Sequence, residues 1–169
     1  MPRALAVAAR ASWSDTVARI EVSSHFALPP EVVWEQVRRP ALLQFVASPI
    51  LSFVPKGGDF PDQWEQREYI AGLRAFGVLP VGEQVIGIEY QPEQASGYRL
   101  RDNGRGGAIS KWDHMMVVEP EGEGTRYTDR VDIGAGVLTP IATAFARFFY
   151  THRQKRWQEL IAQDFAQLG

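Results

Sequence analysis

The stretch TPIATAFARFFYTHRQKRWQELIAQDFAQL, residues 139–168, decides the fold of this chain. Thr139 can cap a helix, Pro140 fits a first helical turn, and neither Gly nor Pro interrupts the segment afterwards. At about 1.5 Å per residue this helix would span on the order of 40 Å, enough to cross a small domain. It must bury its apolar side against another layer, and the remaining sequence offers the concave face of a curved antiparallel sheet. This arrangement tends to leave a pocket, so the sequence predicts a ligand-holding domain.

The residues before this helix form short apolar and alternating runs, which are typical of antiparallel strands. Val17–Phe26 predicts a first strand, and Pro30 and Pro40 each open a short helix, because proline lacks the N–H that goes unpaired in a first turn. Six further strands are predicted near residues 50–54, 64–76, 81–90, 98–102, 108–119 and 125–133. The predicted fold class is α+β, a curved antiparallel sheet of about six to seven strands wrapped around a long C-terminal helix, with two short helices after the first strand.

Two glycine-rich runs, residues 104–107 and 122–124, lie between predicted strands. A phosphate cradle needs a helix N-terminus after its glycines, so both runs are interpreted as hairpin turns. The sequence contains neither a GxSxG nucleophile motif nor a strand-GxGxxG-helix unit. Serine hydrolysis and dinucleotide binding are therefore disfavoured.

The composition fits a single domain, which we expect over residues 17–169, since the chain has 169 residues and 45% hydrophobic content. A formal charge of -2 gives no field that would attract nucleic acid. The lack of cysteine excludes disulfides, thiolate nucleophiles and cysteine-ligated metal sites.

The apolar run Ala4–Ala9 is too short for a secretory signal or a membrane span. The sequence therefore predicts a cytoplasmic protein without stable membrane insertion. Residues 1–16 are expected to form a flexible tail, with a surface-seeking amphipathic arm as the alternative.

The last two predicted strands give the best local evidence for a site. Pairing Val118 with Thr125 brings opposite charges together on the outer face of the sheet. The outer pairs are then Asp113 with Arg130 and Lys111 with Asp132. The inner pairs are Trp112 with Val131, His114 with Asp129, and Met116 with Tyr127.

His114 and Asp129 thus form a candidate polar pair inside the domain, where burying either charge alone is costly. The pair could anchor an oxygen of a ligand, or the histidine could act as a general acid/base in a cyclase-like reaction. The alternative is a structural pair in which Asp129 satisfies His114 or nearby backbone N–H groups and contacts no ligand.

His152 lies on the apolar side of the helix, between Phe149 and Arg156. It is either a further polar and candidate catalytic group of the cavity or a core histidine with one hydrogen bond. The basic run 152–156 is interpreted as a solvated helix face, with a patch for an acidic partner as the alternative. No metal site is expected, since the three histidines of the chain lie on distant elements.

The hairpin predicted over residues 64–90 supplies a second wall. Its more apolar face directs four side chains inward: Tyr69, Leu73, Ile88 and Tyr90. On the helix, Phe145 and Phe149 face the same space, as does Trp112 from the sheet. Each of these side chains either lines a cavity or packs the core.

Five segments resemble the START-like, polyketide cyclase-like superfamily (SRPBCC, helix-grip), and the similarity extends over about residues 17–168. The segments are Leu28–Trp34, Phe76–Pro80, Trp112–His114, Tyr127–Arg130 and Phe149–Arg153. The resemblance implies the helix-grip fold in an uncharacterised bacterial-type member. It selects no single activity, because the superfamily includes lipid carriers, hormone binders, cyclases and aromatases.

The leading functional hypothesis is binding of a hydrophobic or aromatic small molecule, such as a lipid, quinone or polyketide-like compound, between the sheet and the C-terminal helix. The candidate ligand-binding residues are Tyr69, Leu73, Ile88, Tyr90, Trp112, His114, Met116, Tyr127, Asp129, Phe145, Phe149 and His152. One alternative is an enzyme of cyclase, aromatase or dehydratase type that uses a cavity histidine, and another is a protein-interaction module whose pocket is filled by its own side chains. No cofactor is expected, and the ligand and the oligomeric state are left open.

Overall fold

The computed structural model describes residues 17–93 and 96–168, and these residues form one seven-stranded antiparallel sheet and three α-helices. The strands are β1 (Val17–Phe26), β2 (Leu51–Lys56), β3 (Glu68–Ala75), β4 (Leu79–Tyr90), β5 (Tyr98–Gly106), β6 (Ile109–Glu121) and β7 (Gly124–Gly134). The helices are α1 (Pro30–Val37), α2 (Pro40–Ala47) and α3 (Thr139–Ala162). The sheet order is β1-β7-β6-β5-β4-β3-β2. The predicted α+β class is confirmed, whereas the predicted tail over residues 1–16 lies outside the described part of the chain.

The long helix α3 begins where the sequence predicts but ends earlier. Leu138 rather than Thr139 is the N-cap, and the Thr139 hydroxyl instead accepts from the Ala135 N–H at 3.0 Å and donates to the Gly136 carbonyl at 2.7 Å. After Ala162 the chain turns, and a short 3₁₀ segment, Ala166–Leu168, completes it. The prediction of a continuous helix to Leu168 was wrong by about two turns.

The buried side of α3 does not include all of its apolar residues. Ile141 and Phe148 are 71% and 61% exposed, so the first turns of the helix leave large apolar side chains in solvent. The residues that do pack inward follow the helical period: Ala146, Phe149, Tyr150, Arg153, Gln154, Trp157 and Leu160. Two of these are polar, so the helix presents an interior that is only partly apolar.

The β6–β7 hairpin has a tighter turn than predicted. Its turn consists of Gly122 and Glu123, and Gly122 has a φ of +59°, which glycine adopts without a steric penalty. Val118 therefore pairs with Tyr127 rather than Thr125, so the predicted register was wrong by two residues. A shift of two keeps every side chain on its predicted face.

The outer charge pairs change with this register. Arg130 bonds Glu21 of β1 at 2.9 Å instead of Asp113, while Lys111 Nζ still lies 3.9 Å from an oxygen of Asp132. The other glycine run was only partly interpreted correctly. Gly104–Gly106 belongs to β5, and the turn lies at residues 107–108.

Trp157 anchors α3 to the sheet, and its removal should cost much of the stability. It is fully buried, and its ring lies 5.2 Å from those of both Phe26 and Tyr127. We expect Trp157→Ala to lower the free energy of unfolding by about 3–5 kcal/mol, measured by urea denaturation. Phe148→Ala, on the exposed side of the same helix, should change it by less than about 0.5 kcal/mol. Equal effects of the two variants would contradict this packing.

Candidate functional site

A cavity of about 100 Å³ lies between the sheet and α3. Its apolar walls come from α2, β2, β3, β6 and α3: Leu43, Leu51, Phe53, Leu73, Ile109, Trp112, Phe145, Phe149 and Tyr150. Glu83, Arg105 and Phe145 are exposed and also border it, so this side is where the cavity meets solvent. We call this space the outer cavity.

A second, smaller cavity of about 30 Å³ lies deeper, and we call it the inner cavity. Leu43 and Asp102 border both spaces, so the two cavities adjoin at these residues. The other residues around the inner cavity are Val37, Arg39, Leu42, Trp64, Ile86, Ile88, His114, Met116 and Arg153. The buried polar side chains His114 and Arg153 therefore lie at the inner end, while the outer cavity is mostly apolar and carries Glu83 and Arg105 at its solvent side.

The structure brings seven of the twelve predicted site residues to these cavities. Leu73, Trp112, Phe145 and Phe149 border the outer cavity. Ile88, His114 and Met116 border the inner one. The remaining five, Tyr69, Tyr90, Tyr127, Asp129 and His152, border neither.

Three of those five side chains are held elsewhere by hydrogen bonds. The Tyr69 hydroxyl accepts from the Glu65 N–H at 2.9 Å, and the Tyr90 hydroxyl donates to the Trp64 carbonyl at 2.7 Å. His152 donates from Nε2 to the Ser48 carbonyl at 2.9 Å, which ties α3 to the end of α2. The placement of His152 matches the structural alternative, a histidine with one hydrogen bond.

Asp129 lies at the centre of a buried hydrogen-bond network that joins β6, β7 and α3. Its Oδ1 accepts from His114 Nε2 at 2.7 Å and from the Tyr127 hydroxyl at 2.8 Å. Its Oδ2 accepts from Gln154 Nε2 at 2.8 Å. His114 stands opposite Val131, not Asp129, and reaches the carboxylate diagonally. The corrected register therefore keeps the contact, because diagonal neighbours share a face.

These contacts fix the charge states in the network. Burial alone would raise the pKa of Asp129, but the positive charge of Arg153 and the hydrogen bonds from His114 and Tyr127 outweigh it, and the pKa is lowered. Desolvation lowers the pKa of His114 and outweighs the opposing effect of Asp129. At neutral pH the pair is thus an ionised carboxylate and a neutral imidazole.

Arg153 is buried beside this network, contrary to the interpretation of residues 152–156 as a solvated face. It is 4% exposed, and its guanidinium carbon lies 4.9 Å from the ring centre of Tyr150 and 5.9 Å from that of Phe149. Desolvation opposes its charge, but Asp129 and the Tyr150 oxygen offset this, so the pKa of Arg153 is raised and it stays a cation. The α3 residues Lys155 and Thr151 are exposed, as a solvated face requires.

Asp102 is positioned by an irregular part of the β4–β5 pairing. Its Oδ1 accepts the Gly87 N–H at 2.8 Å. A Cβ at position 87 would lie 2.9 Å from the Asn103 carbonyl oxygen, so glycine is what lets the strands approach here. Desolvation raises the pKa of Asp102 to about 7, against the Gly87 hydrogen bond and the charge of Arg153.

Among the site residues that the sequence analysis missed are four with polar groups: Asp102, Tyr150, Arg153 and Gln154. The last three lie at helical spacing with Ala146 and Trp157, so the period of α3 was an available signal for their burial. Tyr150 receives a hydrogen bond from Trp112 Nε1 at 3.0 Å. Asp102 carried a weaker signal: it lies two residues after the buried Leu100 on β5 and therefore on the same face of the strand.

Within the described residues, no group of three or more His, Asp or Glu side chains is arranged to hold a metal ion. None of the helices in that same part of the chain combines the length and apolar character needed to cross a membrane.

The comparisons with known proteins give a family and a fold. The model of a family described as a domain of unknown function, DUF8410, matches residues 24–161. No curated relative matches the chain. Solved structures match with low sequence identity but over most of their length.

A START superfamily protein from Mycobacterium smegmatis matches with a TM-score of 0.64 and 14% identity, covering 86% of this chain and 97% of the other. The AHSA1 (SPO3351) protein from Silicibacter pomeroyi gives 0.58 and 14%, covering 87% and 99%. TTHA0849 from Thermus thermophilus gives 0.59 and 16%, also covering 87% and 99%. These matches confirm the START-like, helix-grip fold that the sequence segments resemble, and at such identities they establish the fold alone.

Removing the central carboxylate should unfold much of this region. Asp129→Ala leaves the donors of His114, Tyr127 and Gln154 unpaired and Arg153 without its counter-charge, so we expect a loss of about 3–5 kcal/mol in the free energy of unfolding near pH 7. Asp132→Ala on the same strand removes the partly exposed ion pairs with Arg19 and Lys111 and should cost no more than about 1 kcal/mol.

The pH dependence gives this prediction a second check. Because the pKa of Asp129 is lowered in the fold, its stabilisation is present above the unfolded value and is lost as pH falls through the folded value. The difference in free energy of unfolding between wild type and Asp129→Ala, measured by urea denaturation, should therefore become smaller below about pH 4. A difference that grows in acid would contradict an ionised Asp129.

Asp102 should have the opposite pH signature. Its pKa is raised to about 7 in the fold, so between the unfolded value and about 7 the folded state binds the extra proton, and stability from this group rises as pH falls. Relative to Asp102→Asn, the free energy of unfolding of the wild type should rise by about 2–3 kcal/mol between about pH 8 and about pH 5. Urea denaturation at both values measures this, and a constant difference would exclude the raised pKa.

Proposed function

The chain belongs to the DUF8410 family, and we propose that it binds a small, mostly apolar molecule in the space between the sheet and α3. The observation that carries the proposal is the outer cavity, about 100 Å³ of space walled by aromatic and aliphatic side chains and reaching solvent at one side. Apolar pockets with a few polar groups at one end are the usual form of small-molecule sites. The START-like fold of the solved neighbours supports the same use.

The volume of the cavity limits the size of the ligand. Drug-sized ligands occupy pockets of about 300–1,000 Å³, whereas an apolar cavity of about 150 Å³ holds benzene. A cavity of about 100 Å³ accordingly suits a body of about one aromatic ring or a short acyl chain. A long-chain lipid, a full quinone or a polyketide needs Phe145 and Phe149 to move outward, because these two stacked rings form most of the α3 side of the wall, together with Tyr150.

The affinity expected for such a ligand is modest. Burying about 200 Å² of apolar surface contributes roughly 5 kcal/mol, and the loss of translational and rotational freedom reduces this. An unsubstituted aromatic probe should therefore bind with a Kd of about 1 mM, and a natural ligand needs polar contacts to bind tighter.

The geometry assigns His114 a positioning role. Its Nε2–H is committed to Asp129, and the neutral ring leaves Nδ1 as an acceptor only. A proton shuttle would have to give up the hydrogen bond that keeps Asp129 satisfied, which is costly in a buried site. The contacts thus favour a binding module over an acid/base enzyme built on this histidine.

Filling the outer cavity tests the proposal. Leu73 points into the cavity from β3, whereas Ile70 on the same strand is half exposed on the other face. Wild-type protein should bind fluorobenzene, detected by ligand-observed ¹⁹F NMR. Leu73→Trp should weaken binding at least about tenfold, since the indole occupies the ring site.

Ile70→Trp is the matched control and should bind fluorobenzene like wild type. Equal binding to Leu73→Trp and wild type, with both folded by circular dichroism, would place the probe elsewhere and refute the outer cavity as the site. Native mass spectrometry of freshly purified protein then identifies any molecule that occupies the site.

A further inference from the structure

Arg153 is a buried cation with unused hydrogen-bond donors. Within residues 17–93 and 96–168 its guanidinium makes no hydrogen bond and lies within 4.0 Å of no carboxylate, and its Nε has no partner. The other two arginines with an unpaired buried Nε, Arg38 and Arg156, each form an ion pair with a glutamate on the same helix. Arg153 has only the ring faces of Tyr150 and Phe149.

Arg153 borders the inner cavity, and that cavity is small. Its volume of about 30 Å³ is two to three times the roughly 10–15 Å³ of space that one water molecule needs, so it has room for one or two oxygen-sized groups. This space is too small for a phosphate group with its four oxygens, and the charges around it decide between a carboxylate and a neutral oxygen.

The charges around the inner cavity argue against an anion. Asp129 already balances Arg153, and Asp102 faces the same space with a carboxyl group of its own. An anionic ligand would add a further negative charge in a desolvated site, which is costly without an additional cation. Arg39 also borders this space, but it donates to the Leu168 carbonyl at 2.9 Å and to the side chain of Gln36 at 3.2 Å.

We propose that the ligand ends in a neutral carbonyl oxygen, as in an aromatic or aliphatic ketone or aldehyde, which enters the inner cavity and accepts hydrogen bonds from Arg153. This inference rests on the proposed function, because it places the apolar body of the same ligand in the outer cavity. Asp102 borders both spaces and contributes a second donor when it is protonated. A carbonyl oxygen has two lone pairs, so it can accept from both groups at once.

The raised pKa of Asp102 agrees with this arrangement. A ligand that fills the outer cavity excludes water from the carboxyl group and favours its neutral form further. The neutral carboxyl donates to the carbonyl, and the Gly87 N–H continues to hold its other oxygen.

Three probes of the same shape test the proposal: acetophenone, α-methylstyrene and benzoate. They place a carbonyl oxygen, a methylene group and a carboxylate oxygen at the same position. Their Kd values are measured by ligand-observed NMR for wild type, Arg153→Met and Arg147→Met. Arg147 is exposed on the same helix, so its variant controls for the loss of one positive charge.

The comparison uses the ratio of the Kd of α-methylstyrene to that of acetophenone, because this cancels the different hydrophobicity of the two probes between variants. A hydrogen bond from a charged donor predicts that the ratio falls about tenfold or more in Arg153→Met and stays unchanged in Arg147→Met. Asp102→Asn should keep the wild-type ratio, because the amide group also donates.

Each alternative result has a separate meaning. Binding of both neutral probes with the same ratio in wild type and Arg153→Met overturns the carbonyl inference and leaves the proposed function standing. Binding of none of the three probes to wild type overturns the proposed function and this inference with it. Benzoate binding more tightly than acetophenone, and losing affinity in Arg153→Met, overturns the neutral carbonyl in favour of an acid.

A spectroscopic measurement on wild-type protein keeps the test decisive if Arg153→Met fails to fold. Hydrogen bonding to a guanidinium lowers the carbonyl stretching frequency of bound acetophenone relative to its value in hexane. Isotope-edited infrared spectroscopy with ¹³C-carbonyl acetophenone measures this shift. A hexane-like frequency for the bound probe overturns the inference.

Discussion

Asp129 holds its charge at a point that no solvent reaches, and a buried carboxylate without partners costs several kcal/mol. The fold meets this constraint with three donors taken from three elements, His114 on β6, Tyr127 on β7 and Gln154 on α3. Because all three must arrive together, the network fixes the position of α3 over the sheet more narrowly than apolar packing does. Trp157, one turn further along the helix, then buries its large ring against the rings of Phe26 and Tyr127.

The same constraint explains why the space beside the network is polar on one side only. The charge of Asp129 keeps Arg153 a cation, and desolvation raises the pKa of Asp102 to about 7. The inner cavity therefore combines a cation with a carboxyl group that can carry a proton. The outer cavity has apolar walls along most of its length. A ligand that enters past Glu83 and Arg105 thus meets the apolar walls next and the buried polar groups last, which orients it before it bonds Arg153 or Asp102.

The sequence was sufficient for the architecture and for the faces of the strands. The uninterrupted run after Thr139 predicts the long helix. The alternation over Lys111–His114 and over Tyr127–Ile133 places His114 and Asp129 inside in both the predicted and the observed register. The register itself was not predictable from these signals, because a turn of Gly122 and Glu123 and a longer loop differ by two residues and keep the same alternation.

The polar interior was harder to predict for different reasons. A basic run predicts that its arginine is exposed to solvent. Only the helical spacing of Arg153 from Tyr150 and Trp157 indicates that it is buried. The environment of Asp102 depends on how closely the backbone at Gly87 approaches β5, which is a property of two strands and not of either segment. Cavity volume likewise results from how side chains of five elements fill the interior, and no local pattern encodes it.

Residues that stabilise the fold and residues that line the cavities lie on the same helix, α3, and this restricts how the protein can diversify. One helix carries the Asp129 donor Gln154, the buried cation Arg153, the core residue Trp157 and part of the outer cavity wall. A change on this helix that alters ligand preference therefore also alters stability. Leu51, Phe53 and Leu73 form the opposite wall, and within the described residues their side chains make no hydrogen bond or ion pair with the charged groups. Substitutions on this wall can therefore change the ligand with less effect on stability, so relatives can acquire new ligands there and keep the same framework.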